Sequence, residues 1–283
     1  MTNYKFINTL VELIFLLICL QLIFLSNFKV VGIILLIFYS IFKYQRKKVT
    51  LIAYKGAIAF NSKDYDKALE LYSKAYNSKK ATIDIKLRYA YIALYSGKLD
   101  ICKDALYSVD YNTLKNIKLK ISYKQTEGLY LWKTNNLKKA IEVYEDLHKE
   151  HEHTVIYEAL GYLLILSKDY EKALEYNLKA YDYDDTNVIL DNLAQTYYYL
   201  GSMAKAKELY SSLFSKEKRP TFPEPYYYYG LILKNEGNLE DAFTYLNEAL
   251  DKKESFLSNL NRNIILNDIS NLDKLNISTN LNL

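Results

Sequence analysis

Three histidines, His148, His151 and His153, fall within one six-residue stretch, His148–His153, and are the only imidazoles in the chain. His148 and His151 stand three positions apart, as neighbours on a helix surface would. With Glu150 or Glu152 they could share a divalent metal. The competing reading is a polar connection between two helical units, where such residues occur anyway, and it is the one adopted. Asp182-Tyr183-Asp184-Asp185 lacks the glycine and closing glutamate of a calcium loop and also reads as a solvated turn. Cys19 and Cys102 are the only cysteines and have no local partners, so count alone excludes a disulfide framework or a four-cysteine zinc site. The eight glycines are dispersed, with no phosphate-cradling loop among them. No serine–histidine–acid set can be built from local signals. The expectation is a chain that is not an enzyme, with no catalytic residues, no metal and no cofactor.

Charge narrows the partners. Residues 1–50 carry six basic residues against Glu12, a net +5 out of +4 for the whole chain, so residues 51–283 sum to −1. The basic character belongs to the N-terminus. A nearly neutral remainder lacks the cationic footprint that phosphate binding needs, and no nucleic-acid partner is expected.

What positions the side chains is a repeat. Tyr65-Asp66-Lys67-Ala68-Leu69-Glu70-Leu71-Tyr72 returns as Leu137–Tyr144 and again as Tyr170–Asn177. Its small residue recurs as Ala68, Cys102, Ala140, Ala173, Ala206 and Ala242, at steps of 34, 38, 33, 33 and 36. A period of this length marks stacked helix pairs, an all-α solenoid. Polar turns such as Ser96-Gly97-Lys98 and Leu200-Gly201-Ser202 separate the two helices of a pair. Twelve residues before each recurring small residue stands Gly56, Ala90, Gly128, Gly161, Ala194 or Gly230, letting antiparallel helices approach closely. Four residues after it come Tyr72, Leu106, Tyr144, Asn177, Tyr210 and Leu246, which fill the space toward the next unit.

This pattern resembles the tetratricopeptide repeat (TPR), over residues 49–254. The fullest matches are Tyr157-x2-Leu160-Gly161 with Ala173 and Ala180, and Tyr226-x2-Tyr229-Gly230 with Ala242 and Ala249. Cys102 and Asn177 depart from it, and Pro220, Pro223 and Pro225 gather before the last unit instead of closing each one. The resemblance implies about six helix pairs, at 49–82, 83–116, 121–153, 154–186, 187–219 and 223–254. A capping helix is expected over 255–267, with Phe256, Leu257, Leu260, Ile264 and Ile265 on one side. The Asn- and Leu-rich stretch 268–283 is given no structure.

Residues 1–48 read differently. The apolar runs Leu13–Leu25 and Val30–Phe42 flank Ser26–Lys29, and helices over 6–25 and 28–44 would make a transmembrane hairpin. Lys5 and the Lys43–Lys48 cluster would hold both ends, and the array after them, on the cytoplasmic side of a bacterial cell membrane.

Solenoids present surfaces. The resemblance implies a concave groove lined by Tyr91, Tyr95, Trp132, Tyr162, Gln195, Tyr198 and Tyr227. Aromatic side chains with a polar tip suit the anchoring of a protein or peptide partner. Glu158 and Asp191 stand at groove positions where some TPR modules carry basic residues and asparagine for a terminal carboxylate, so that ligand is disfavoured. The function expected is a membrane-tethered scaffold binding a partner in this groove. Two alternatives stand beside it: a peptide-responsive sensor, or the same scaffold displayed outside the cytoplasm.

Overall fold

The computed structural model describes residues 2–25 and 27–280, with the side chains of 2–9, 46 and 273–280 left out of account. Its described residues form helices and turns, with no strand. Two compact units divide it, Met1–Ile85 and Lys86–Leu283.

In the first unit α1 (Thr2–Phe24) and α2 (Lys29–Asn61) form an antiparallel hairpin. Gly32 lets them close: a methyl group there would lie 2.9 Å from the Cys19 carbonyl oxygen. Glu12 pairs with Lys43, which lowers the Glu12 pKa, and Phe15 meets Tyr39 with ring centroids 5.1 Å apart. α2 runs unbroken through the expected boundary at residue 48, then packs on α3 (Tyr65–Tyr76) with Gly56 against the Tyr72 ring.

Among the described residues no helix is long and apolar enough to cross a membrane. This overturns the expected transmembrane hairpin and the membrane localisation built on it. The apolar stretch Leu13–Phe24 of α1 measures about 18 Å as helix and Val30–Phe42 of α2 about 20 Å, against roughly 30 Å of hydrocarbon. Lys29 and Lys43 close the second run at both ends. Leu17, Phe24, Phe38 and Phe42 stay more than half exposed.

The second unit stacks five antiparallel pairs. These are α4 (Ile83–Tyr95) with α5 (Leu99–Tyr107), α6 (Ile117–Lys133) with α7 (Leu137–Glu150), α8 (Thr154–Leu166) with α9 (Tyr170–Tyr183), α10 (Asn187–Tyr199) with α11 (Met203–Ser215), and α12 (Glu224–Asn235) with α13 (Leu239–Leu250). The first turn of α4 lies at the unit boundary, and a 3₁₀ turn, Tyr111–Thr113, precedes α6.

One local device recurs. Among the described residues those with positive φ are Lys63, Gly97, Asn135, Lys168, Gly201 and Gly237, each five positions before a recurring small residue. Each ends the first helix of its pair in the left-handed conformation. At Gly97 its N–H reaches the Leu94 carbonyl, and the Lys98 N–H reaches that of Ala93, satisfying two orphan acceptors of α4. The six small residues after these turns are fully buried, and the residues four places on are at most 2% exposed. At Gly128 an added methyl would lie 2.5 Å from the Tyr144 ring, so the two helices touch through a missing side chain.

Asn177 occupies a site that is Tyr or Leu elsewhere. It is fully buried, and its amide donates to Thr196 Oγ1 at 3.1 Å. Thr196 in turn donates to the Asn192 carbonyl (2.7 Å), and Asn192 to the Glu158 carbonyl (2.9 Å), threading a polar seam through α8, α9 and α10.

The capping helix sits later than expected. α14 runs Arg262–Asn280, so the helix placed over 255–267 is corrected, and most of the stretch left without structure is helical. Asn261 starts it, its Oδ1 accepting from the Ile264 N–H at 3.1 Å. Ile265, Ile269 and Leu272, spaced for one helix face, are buried with Tyr227, Leu233, Leu246 and Leu260. Phe256 and Leu257 belong instead to an irregular segment, 253–261, in which they form a turn.

Candidate functional site

The first helices of successive pairs converge on a cavity of about 290 Å³. α4 brings Tyr91 and Tyr95 to it, α6 Trp132, and α8 Glu158 and Tyr162. Glu224, at the start of α12, closes one side. Trp132 meets Tyr162 edge-on with centroids 5.5 Å apart, and Tyr91 meets Tyr95 at 6.2 Å. These rings face one another because each sits on the turn of helix left free by the inter-pair packing. Burial pushes the Tyr91 phenol up to about 12 and raises that of Tyr162. Both stay protonated donors across the biological range.

A second cavity of about 470 Å³ adjoins it, sharing Tyr162 and Glu224 and adding Gln195, Tyr199, Tyr227 and Tyr228. Gln195 is 2% exposed and donates to Asp191 Oδ2 at 2.7 Å, which orients the carboxylate. The Tyr227 hydroxyl donates to Asp268 of α14 at 2.8 Å. Tyr198 lines neither cavity. It packs against Tyr199 and Tyr228 at 5.5 and 5.3 Å. Six of the seven residues named from the sequence thus line two neighbouring spaces that share Tyr162 and Glu224.

The electrostatics are one-sided. Glu158, Asp191 and Glu224 all line the first cavity, and burial raises all three pKa values, Asp191 well above its ordinary 3.8. Their partners are neutral donors: Thr186 to Glu158 (2.8 Å), Tyr210 to Asp191 (3.1 Å) and Ser258 to Glu224. Among the described residues none of the three forms an ion pair. Lys133, at the rim, is held at 4.2 Å over the Trp132 ring, and burial lowers its pKa.

Sequence reasoning missed the third wall. The irregular segment 253–261 lies across the groove, and Ser255, Leu257 and Ser258 line the first cavity. Asn259 donates its N–H to the Tyr162 hydroxyl at 3.0 Å, and Lys133 donates to the Ser258 carbonyl at 3.3 Å. The signal that could have found it is Asn261. As a helix cap with Ile265, Ile269 and Leu272 behind it, this residue leaves 253–260 outside the helix.

The histidines do not converge. His148 packs its ring on Tyr157 and Tyr176, at 4.8 and 5.3 Å, and burial lowers its pKa. His153 caps α8, its Nδ1 accepting from the Val155 N–H at 3.3 Å. Among the described residues no three His, Cys, Asp or Glu side chains are grouped to hold a metal ion.

Residues 126–187 and 192–255 match the family model described as tetratricopeptide repeat. Over these two stretches the chain is similar to tetratricopeptide repeats. Solved structures with the same fold include a tetratricopeptide repeat protein from Parabacteroides merdae, 14% identical over 80% of this chain and 84% of that one, with a TM-score of 0.63. A thermophilic TPR protein, TTC0263, from Thermus thermophilus is 16% identical over 71% of this chain and 98% of the other, at a TM-score of 0.52. PilW, a type IV pilus biogenesis factor, is 14% identical over 71% and 92%, at 0.57. At such identities the likeness is one of fold. No protein of curated function matches the chain.

Proposed function

We propose that the unit Lys86–Leu283 is a binding scaffold that takes an extended peptide segment of a partner protein along the faces of α4, α6, α8, α10 and α12. The observation that carries this reading is the groove's own lining. Tyr91, Tyr95, Trp132 and Tyr162 present large rings, fixed on helices, around a space of about 290 Å³. Rings held this way bury area on binding at small entropy cost, which is how interfaces build their strongest contacts. Gln195 and Tyr227 extend the same surface into the second cavity. Tyr198 contributes by buttressing Tyr199 and Tyr228.

The charge pattern narrows the partner. Three carboxyl groups with neutral donors, Asp191 and Glu224 buried and Glu158 half-buried, favour a segment that brings hydrogen-bond donors or a positive charge over one that brings phosphate or a free carboxylate. The test is selection of peptides from a random displayed library on the full-length protein. Selected peptides are then titrated against Tyr95→Ala and Trp132→Ala, each checked for unchanged helicity. Losses of about tenfold or more in affinity are expected of such anchors. Equal affinity for wild type and both variants would move the site elsewhere.

A further inference from the structure

We propose that residues 252–259 are a built-in ligand of this groove, held there in place of a partner and displaced when one binds. The inference rests on the reading of the groove as a peptide site and adds its regulation. The segment is neither helix nor strand, and the groove holds it as it would a foreign peptide. Two of its contacts are to main chain, the Asn259 N–H on Tyr162 and the Ser258 carbonyl on Lys133. A third is made by a short side chain, the Ser258 hydroxyl donating to Glu224. Any extended chain could supply the first two.

Side chains add register. The Phe256 ring lies over the α4–α5 turn, where a methyl on Gly97 would come within 3.3 Å of it, and under the Lys133 ammonium at 4.7 Å. Leu257 points into the first cavity. An aromatic residue, an aliphatic one and then a donor thus meet the turn, the cavity and Glu224 in order. A competing partner is a non-helical peptide with that pattern, turning at its aromatic–aliphatic pair as Phe256 and Leu257 do.

The hold is light at one end and firm at the other. Phe256 keeps 37% of its surface exposed, whereas Leu260 is 9% exposed and packs with Ile265, Ile269 and Tyr227 of the C-terminal core. Lifting 252–259 gives up the Glu254 contact to the Arg262 N–H at the start of α14, but leaves Ile265, Ile269 and Leu272 of that helix in the core. The tether keeps the segment at an effective concentration near the millimolar range, so even weak self-binding suppresses weak competitors.

The probe is a fluorescent synthetic peptide of sequence 252–261, titrated against the full-length chain and against a Phe256→Ala/Ser258→Ala variant. That variant weakens the segment and leaves every helix residue of the groove in place. The probe is expected to bind the variant at least tenfold more tightly than wild type, and to lose that gain when Tyr95→Ala is added. Equal binding to both proteins, or binding to neither, would overturn the built-in ligand. The groove itself is judged separately by the library-selected peptides, so the two failures are distinguishable. Hydrogen exchange gives a second readout. A selected peptide should speed exchange of the Asn259 amide, and slowed exchange would make the segment a lid over the ligand and refute displacement.

Discussion

Substituting Gly128 by alanine tests the close helix contact that lets the pairs stack. The methyl would lie 2.5 Å from Cε2 and 2.8 Å from Cδ2 of Tyr144. Tyr144 cannot step aside easily: it is fully buried, and its hydroxyl donates to the Gln125 carbonyl of the same facing helix at 3.0 Å. Overpacking of this kind costs about 1–3 kcal/mol. Loosening the tyrosine hydrogen bond adds about 1 kcal/mol. Alanine is better than glycine inside a helix by about 1 kcal/mol, which offsets that last amount. The net expectation is a loss of about 1–3 kcal/mol, read from urea unfolding followed by far-ultraviolet circular dichroism. A Gly128→Ala/Tyr144→Leu cycle should recover at least about 1 kcal/mol of coupling, since the smaller side chain leaves room for the methyl. A Gly128→Ala protein as stable as wild type would refute the reasoning.

Two further outcomes follow from the same geometry. Lys168 holds a φ of 64° in the turn between α8 and α9, a conformation glycine adopts without penalty, so Lys168→Gly should raise stability by about 0.5–1 kcal/mol at an unchanged urea slope. Burial raises the folded-state pKa of Asp191, Glu158 and Glu224, so these groups favour the folded chain most below their unfolded values and lose that contribution as pH rises through the folded ones. Their contribution to the melting temperature should fall from acid toward neutral pH, against the opposite contribution of Glu12, Glu70 and Glu175, whose lysine partners lower their pKa values. Asp191→Asn, which can keep Tyr210 and Gln195 as partners, should flatten that fall, and an unchanged slope would count against a strained Asp191.

Much of the array was legible because its physics is local and periodic. Ala, Gly and Tyr at fixed spacing report a helix pair whose backbones touch, and the residues involved are the most buried in the unit. The left-handed turn was half legible: glycine and asparagine announce it at Gly97, Asn135, Gly201 and Gly237, but Lys63 and Lys168 adopt it without any such signal. There the position in the repeat, not the residue type, sets the conformation.

The C-terminal segment was misread for a physical reason. Phe256, Leu257, Leu260, Ile264 and Ile265 have a spacing compatible with one helix face, yet they serve separate surfaces: the α4–α5 turn, the first cavity and the core under α14. Apolar spacing alone cannot distinguish a face from a sequence of pockets. The N-terminal runs were over-read in the opposite direction, since hydropathy suggested a span that the described helices do not have the apolar length to make. Tyr198 illustrates a third limit. In a cluster of neighbouring tyrosines, Tyr198 packs and Tyr199 lines the cavity, a difference of one position on the helix.

The most direct measurement of the central claim is site-specific crosslinking with a library-selected peptide. A photoreactive residue replaces Tyr95 at the first cavity in one protein and Tyr181, an exposed position on α9 outside both cavities, in another. The groove account predicts crosslinked peptide at position 95 and none at 181. Crosslinking at 181 with position 95 silent would contradict it.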